Sequence, residues 1–201
     1  STNTLSLSNP AVFIINGTQA LTFAGAFTQA SGGTPILTVS NSGGTTFNGT
    51  FAPNTGAGPG LNINGTANTT IGGVVSGAKG LTYSGSGILT LSGANTYTGA
   101  TNVAAGTLVI NGSISTTSLT TVSSGATFAG TGTVGAILIE GGATLSPGVS
   151  GVGILNTGNY NQAGTLTLDL NGNTAGTNDK VNINGSATLS VLLSATVGGG
   201  Y

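Results

Sequence analysis

The 201 residues of this chain include no cysteine, histidine, methionine or tryptophan, and only five carry charge. The charged residues are Lys79, Glu140, Asp169, Asp179 and Lys180, so arginine is absent as well. The side chains that most often transfer protons, act as nucleophiles or bind metals are therefore nearly all missing. A net charge of −1 leaves little for the counterion release that drives nucleic-acid binding. We expect no catalytic residue, no metal, no cofactor and no nucleic-acid partner.

The three carboxylates are spaced unevenly against the strand pattern described below. Glu140 lies four residues before Thr144, whereas Asp169 lies four residues after Thr165. This spacing predicts different angular positions around a coiled chain, with Asp179 and Lys180 in a polar turn. A hydrolytic carboxylate pair is not expected, and a calcium site would need six to eight oxygen ligands that so few carboxylates do not supply.

Helix signals and long apolar runs are also missing. Glycine, at 38 residues, interrupts every window long enough for an amphipathic helix. No apolar run approaches the roughly 18 residues of a membrane span, so this segment is not expected to insert into a membrane. Apolar residues alternate instead, as at Leu166, Leu168 and Leu170. This alternation predicts half-buried β-strands.

A short motif recurs four times: an apolar residue, any residue, Ile, Asn, Gly and then Thr or Ser. The Asn-Gly pair favours a sharp turn after two inward apolar side chains. The predicted structural turn residues are Asn16, Gly17, Asn64, Gly65, Asn111, Gly112, Asn184 and Gly185. Their spacing suggests multiples of about 24 residues.

A second recurrence, Thr followed by Leu or Phe, suggests a shorter coil. A coil of about 20 residues and a coil of about 24 residues both remain open, since each fits one of the two recurrences. The predicted core ladder consists of Leu91, Leu108, Phe128, Leu145, Leu166 and Leu189.

Similar strands recurring once per turn favour an all-β fold in which coils stack in register, a parallel β-solenoid, over a sandwich or barrel. About eight to ten coils at about 4.8 Å per strand would make a rod roughly 40–50 Å long. We expect one domain over residues 1–201, with looser coils at 1–70 and a protruding loop at 52–60. The coils that match the repeat best are expected at 71–193.

Part of the sequence resembles the autotransporter-associated β-strand repeat. The resemblance lies in Leu-Thr-Tyr-Ser-Gly-Ser-Gly-Ile-Leu-Thr-Leu-Ser-Gly-Ala-Asn-Thr-Tyr-Thr-Gly from position 81, and in Ala-Gly-Thr-Leu-Val-Ile-Asn-Gly from position 105. It extends in weaker form over about 71–193. The resemblance implies a right-handed parallel β-helix exported to the surface of a Gram-negative-type bacterium, and it implies no reaction.

These observations favour a non-enzymatic extracellular structural protein, either a rigid stalk or a fibre segment that associates with itself end to end. The alternative is an adhesin that binds glycans or cell surfaces through its loops, and a weaker alternative is ice binding by threonine-rich faces. Six Asn-x-Ser/Thr sequons would fit a glycosylated protein. Four of them are the turn motif itself, so the turn interpretation is preferred. The sequons are at Asn16, Asn48, Asn64, Asn68, Asn111 and Asn184.

Overall fold

The computed structural model describes residues 5–7, 12–29, 34–53, 60–77, 79–115, 118–149, 151–171, 174, 176–190 and 192–197. Six residues of the predicted loop at 52–60, positions 54–59, lie outside this part of the chain. The described residues form 23 short strands, most of them arranged in two long parallel sheets.

The first long sheet contains, in order, β2 (Val12–Ile15), β5 (Ile36–Val39), β8 (Leu61–Asn64), β10 (Leu81–Tyr83), β12 (Thr101–Val103), β14 (Leu119–Val122), β16 (Ala136–Ile139), β19 (Tyr160–Gln162) and β22 (Ala187–Leu189). The second long sheet contains β3 (Leu21–Phe23), β6 (Thr45–Phe47), β9 (Thr69–Ile71), β11 (Ile88–Leu91), β13 (Thr107–Ile110), β15 (Thr127–Gly130), β17 (Thr144–Pro147), β20 (Thr165–Leu170) and β23 (Leu192–Val197). The chain alternates between the two sheets, so each turn adds one strand to each.

A third side closes each turn. It consists of β1 (Leu5–Leu7), β4 (Phe27–Gln29) and β7 (Phe51–Pro53) near the amino end, and of β18 (Ile154–Thr157) and β21 (Lys180–Ile183) near the carboxyl end. Between these two groups, single bridges at Val75, Ser113 and Thr133 replace full strands. The cross-section is therefore three-sided, with its third side least regular in the middle of the stack.

The strands form because apolar residues occupy every second position. In β5, Leu37 and Val39 are buried and the residues between them are partly exposed, and β16 repeats this pattern. Inward side chains of one turn lie on those of the next, and together they form one continuous core from Ile15 to Tyr160. Stacking of like side chains is the source of cohesion expected in a repeat protein.

The turns differ in length. Leu21 pairs with Thr45, a long step, whereas Leu81 pairs with Thr101, a shorter one. Within the second long sheet the step is shortest between Thr127 and Thr144 and longest at the last turn, where Thr165 pairs with Leu192. Both coil lengths suggested by the sequence occur, the longer one in the first turns and the shorter one in the middle.

The all-β parallel solenoid is confirmed. Each long sheet contains nine strands, and seven of them have a paired strand on both sides. Counted by these seven fully paired turns, the stack has slightly fewer turns than the predicted eight to ten. Nine strands at about 4.8 Å extend about 40 Å. The right-handed sense of winding stays a prediction, in keeping with the strong preference of parallel crossovers for that hand.

Phenylalanines fill the core of the first turns. Phe23 stacks on Phe47 with ring centroids 5.0 Å apart, and Phe27 stacks on Phe51 at 4.2 Å. Face-to-face stacking arises because parallel, in-register strands place equivalent residues directly above one another. Stacked ring pairs add roughly 0.5–1.5 kcal/mol beyond area burial.

Candidate functional site

The structure brings two of the three carboxylate residues together. Asp169 lies in β20 and Asp179 lies just before β21, where it is 8% exposed. The Asp169 backbone N–H donates to Asp179 Oδ2 at 2.8 Å, and the Asp179 N–H donates to the Asp169 carbonyl at 2.9 Å. Asp169 belongs to the second long sheet and Asp179 to the corner before the third side, so the two residues meet through the Asp169 backbone and do not form one column. Glu140 lies apart from them, in the corner after β16.

The carboxylate of Asp179 stabilises a corner of the solenoid by accepting hydrogen bonds from two backbone N–H groups. Its Oδ1 accepts a hydrogen bond from Gly153 N–H at 2.7 Å, while Oδ2 holds the Asp169 amide. Both oxygens are engaged by backbone donors, which supports a structural role. Of the two residues of the predicted polar turn, Asp179 is buried in this corner, whereas Lys180 is exposed and begins β21. A buried carboxylate is tolerated here because it accepts strong charge-assisted hydrogen bonds.

The described part of the chain contains no cluster of three or more His, Cys, Asp or Glu side chains that could hold a metal ion. Within the same residues, no helix is long and apolar enough to cross a membrane.

The four Asn-Gly turn pairs lie at different corners. Asn16-Gly17 and Asn64-Gly65 lie at the ends of β2 and β8 in the first long sheet. Asn111-Gly112 follows β13 in the second, and Asn184-Gly185 follows β21 on the third side. The motif therefore marks a strand end, but it does not mark one repeating position of the coil.

The two Asn-Gly pairs of the first sheet are also out of register with each other. Phe13 pairs with Leu37 and Leu37 pairs with Ile63, whereas the motif would place Phe13 level with Leu61. Gly17 and Gly65 adopt positive φ angles of 127° and 112°. At Gly112 the constraint is close packing, because an added Cβ would lie 2.1 Å from the Gly93 carbonyl oxygen.

Four members of the predicted core ladder lie in register in the second long sheet: Leu108, Phe128, Leu145 and Leu166. The residue that precedes Leu108 in this column is Leu89. Leu91 is buried but pairs with Ile110, so its predicted place is wrong by two positions.

Leu189 belongs to another column. It lies in β22 of the first long sheet, opposite Gln162, and is 59% exposed. Its assignment to the ladder is wrong because Thr-Leu pairs occur in both sheets. The spacing between successive Thr-Leu pairs stays similar at the last turn, although the pair at Leu189 belongs to the other sheet. The residue that pairs with Leu166 is Leu193.

Three of the four tyrosines lie in the core, and the fourth, Tyr201, lies outside the described residues. Burial raises the pKa of Tyr83 from 10.0 to about 12. Burial likewise raises the pKa of Tyr97 to about 12, although a hydrogen bond with Thr101 Oγ1 at 2.8 Å opposes the shift. Burial also raises the pKa of Tyr160. Because their rings are enclosed, these three tyrosines do not form a platform for sugar stacking.

Sequence reasoning missed two buried asparagines that replace backbone contacts at corners. Asn95 Oδ1 accepts from Val75 N–H at 2.8 Å, and its Nδ2 donates to the carbonyls of Gly93 and Ser113 at 3.0 Å. Asn41 acts similarly at an earlier corner, where Nδ2 donates to two carbonyls and Oδ1 accepts from the Thr45 hydroxyl. A single buried Asn in a polar loop leaves no periodic signal.

Sequence reasoning also missed a column of glycines at one corner, where each glycine approaches the carbonyl of its counterpart in the preceding turn. An added Cβ would lie 2.0 Å from that oxygen at Gly73 and 2.6 Å at Gly93. The column consists of Gly25, Gly49, Gly73, Gly93, Gly112 and Gly132. Their spacing shortens after Gly73, and this signal in the sequence could have revealed both the corner and the changing turn length.

A polar trough lies on the third side, formed by Thr133, β18 and β21. Thr133 bridges to Asn156, and Asn156 pairs with Asn182 one turn later. Asn182 Nδ2 donates to Asn156 Oδ1 at 2.9 Å. Two hollows of about 490 and 570 Å³ share this amide pair. One extends toward the carboxyl ends of β18 and β21, and the other toward their amino ends.

This geometry defines a parallel β-solenoid with stacked inward side chains, polar corners and a polar trough along its third side. The family model described as Passenger-associated-transport-repeat matches residues 81–110. That range begins with the first residue of β10 and ends with the last residue of β13. The chain thus carries a passenger repeat of the autotransporter type over residues 81–110.

A curated relative supports the same assignment. The adhesin BmaC autotransporter of Brucella suis biovar 1 (strain 1330) is 38% identical to this chain over 80 residues. The match covers 39% of this chain but only 2% of the adhesin. No solved structure matches the chain.

Proposed function

We propose that this chain is a rigid, non-enzymatic stalk segment of a bacterial surface passenger, and that it associates end to end through its first and last turns. The passenger repeat and the similarity to an autotransporter adhesin support a surface or extracellular location. The continuous core and the scarcity of reactive side chains support a mechanical role rather than a chemical one.

The observation that carries the proposal is the exposure of core positions at the two ends. Leu189 continues the column of Val103, Val122, Ile139 and Gln162, whose members are all fully buried, yet Leu189 is 59% exposed. At the other end, Leu21 continues the column that includes Leu89 and is 37% exposed. Among the described residues, β22 and β3 each end a long sheet, and sheet edges with exposed apolar residues favour pairing with a further strand.

Charge does not oppose such stacking. The net charge of the whole chain is −1, so repulsion between two copies is small. A further parallel turn above β22 would bury Leu189 in the same way that β16 buries Val122. In the proposed assembly, a second copy of the chain supplies such a turn.

The test is the molecular mass and shape of the purified chain over a concentration series, by analytical ultracentrifugation and negative-stain electron microscopy. We expect rods that lengthen in multiples of one chain as concentration rises. Leu189→Lys or Leu21→Lys should abolish lengthening because a charge would be buried at the junction. The matched control is Leu119→Lys, since Leu119 is 45% exposed on the side of the rod. Single short rods at every concentration would rule out end-to-end association.

A second function, adhesion, is favoured by the relative that is named an adhesin. An adhesive segment presents a specific surface to a ligand, whereas a stalk segment only spaces other parts. Binding to a glycan array separates the two functions, because a stalk segment should be retained on no glycan. Deleting residues 54–59 would test whether the predicted loop at 52–60 carries the binding.

A further inference from the structure

We propose that the trough formed by Thr133, β18 and β21 is a binding site for a neutral glycan. The proposal rests on the adhesive function, for which it names a site and a ligand class. It begins from the two hollows of about 490 and 570 Å³, whose volumes are typical of sites that bind small ligands.

The lining chemistry selects the ligand class. Both hollows are lined by the amides of Asn156 and Asn182, and one of them also by Asn184 and Thr133. Among the described residues, those that line the two hollows are uncharged, and the exposed Lys180, which pairs with Ile154, begins β21 outside this lining. Amide and hydroxyl groups both donate and accept, as sugar hydroxyls do, whereas a phosphate or sulfate group would call for arginine or lysine.

The amide pair has hydrogen-bonding capacity left for a ligand. A side-chain amide offers two donors and two acceptor lone pairs. The bond from Asn182 to Asn156 uses one donor of Asn182 and one lone pair of Asn156. It also fixes the two amides against each other, which reduces the conformational entropy lost when a ligand binds.

An apolar side chain on the same strand face completes the match. Ile154, two residues before Asn156 in β18, is 43% exposed and lines one hollow, whereas Ile183 pairs with the buried Thr157 on the inward face. The C–H face of a sugar ring can cover such aliphatic groups while its hydroxyls meet the amides. The backbone beneath is held in place because β18 and β21 pair over four residues.

The test is nuclear magnetic resonance of the whole chain, titrated with soluble neutral oligosaccharides of glucose, mannose and galactose. We expect at least one of these oligosaccharides to shift the side-chain amide signals of Asn156 and Asn182. The variant Asn156→Thr/Asn182→Thr should weaken its binding at least tenfold, since threonine keeps the strands but removes the amides. The matched control, Asn102→Thr, changes an exposed asparagine of β12 and should bind normally.

Three results would overturn the proposal. Unshifted amide signals with every oligosaccharide at millimolar concentration would exclude the site, and equal binding by the double variant would place the glycan elsewhere. The latter result would leave adhesion intact and reject only the trough. Binding of acidic oligosaccharides alone would also reject the neutral ligand class. The mass measurements on end-to-end association do not depend on any of these outcomes.

Discussion

At the scale of single residues, some buried polar groups are hydrogen-bonded and others have no hydrogen-bond partner. The carboxylate of Asp179 and the amides of Asn41 and Asn95 are satisfied by backbone groups at corners. The hydroxyl of Tyr83 is buried and has no hydrogen-bond partner among the described residues. Tyr97, by contrast, bonds to Thr101. Buried polar groups are costly unless paired, so the two tyrosines should respond differently to loss of the hydroxyl.

We predict that Tyr83→Phe leaves the free energy of unfolding at neutral pH unchanged or slightly raises it. Tyr97→Phe should lower it by about 1 kcal/mol, because the Thr101 hydroxyl loses its partner inside the core. Urea denaturation of the two variants measures the difference. Equal destabilisation by both substitutions would contradict the hydrogen-bond assignment.

Both tyrosines should also make the fold sensitive to alkali. Their pKa is about 12 in the folded chain against 10.0 when exposed. The unfolded chain therefore loses these protons first, and stability falls as pH rises from about 10 to about 12. Below pH 10 both states are protonated, so this effect is absent. Each Tyr→Phe variant should show a smaller loss over this pH window, as followed by circular dichroism.

At the scale of elements, corners control how closely successive turns approach. The glycine column allows the backbone of one turn to contact the carbonyl of the turn before it, as at Gly73 and Gly49. Gly151 lies in a different setting, where an added Cβ would meet none of the described residues within 4 Å. The two positions form a matched pair for testing whether the column is a packing requirement.

We predict that Gly73→Ala lowers the free energy of unfolding by about 3 kcal/mol, since the new Cβ would overlap the Gly49 carbonyl and push two turns apart. Gly151→Ala should change it by less than about 0.5 kcal/mol. Thermal and chemical denaturation measure both. A small effect at Gly73 would mean that this corner can expand without disturbing the sheets.

Local sequence signals suffice to predict the strands, but not always the sheet to which a strand belongs. The alternation of apolar residues predicted the strands, and the Thr-Leu pairs placed Leu108, Phe128 and Leu145 correctly in one column. The same signal failed for Leu189, because nothing local distinguishes a strand of one long sheet from a strand of the other. Pairing between whole turns of unequal length decides that question.

At the scale of the whole molecule, the turns are modular. Leu81 pairs with Leu61 on one side and with Thr101 on the other. The carbonyls of Gly80 and Ala100 occupy equivalent places, since each accepts a hydrogen bond from the first residue of the paired strand one turn earlier. Residues 81–100 therefore make one complete turn that can be removed in register.

We predict that deletion of residues 81–100 gives a folded solenoid about 4.8 Å shorter, with Leu61 facing Thr101. Its denaturant m-value should fall by about a ninth, because m scales with the surface exposed on unfolding. The control is deletion of residues 81–90, which removes half a turn and displaces all later strands from their sheets. If both deletions unfold the chain, the turns are not independent modules.

The sequence by itself determined that this chain is an all-β stack of turns with a surface-passenger repeat and almost no reactive chemistry. The fold class and the scarcity of reactive groups follow from composition, period-two alternation and the recurrence of similar strands, whereas the passenger repeat follows from resemblance to a known family. Only the tertiary structure decided which corner each Asn-Gly pair forms, why Asp179 is buried, and that Asn156 and Asn182 meet in a polar trough. Turn lengths vary along the chain, so residues become neighbours through strand pairing between turns, which no fixed spacing in the sequence records.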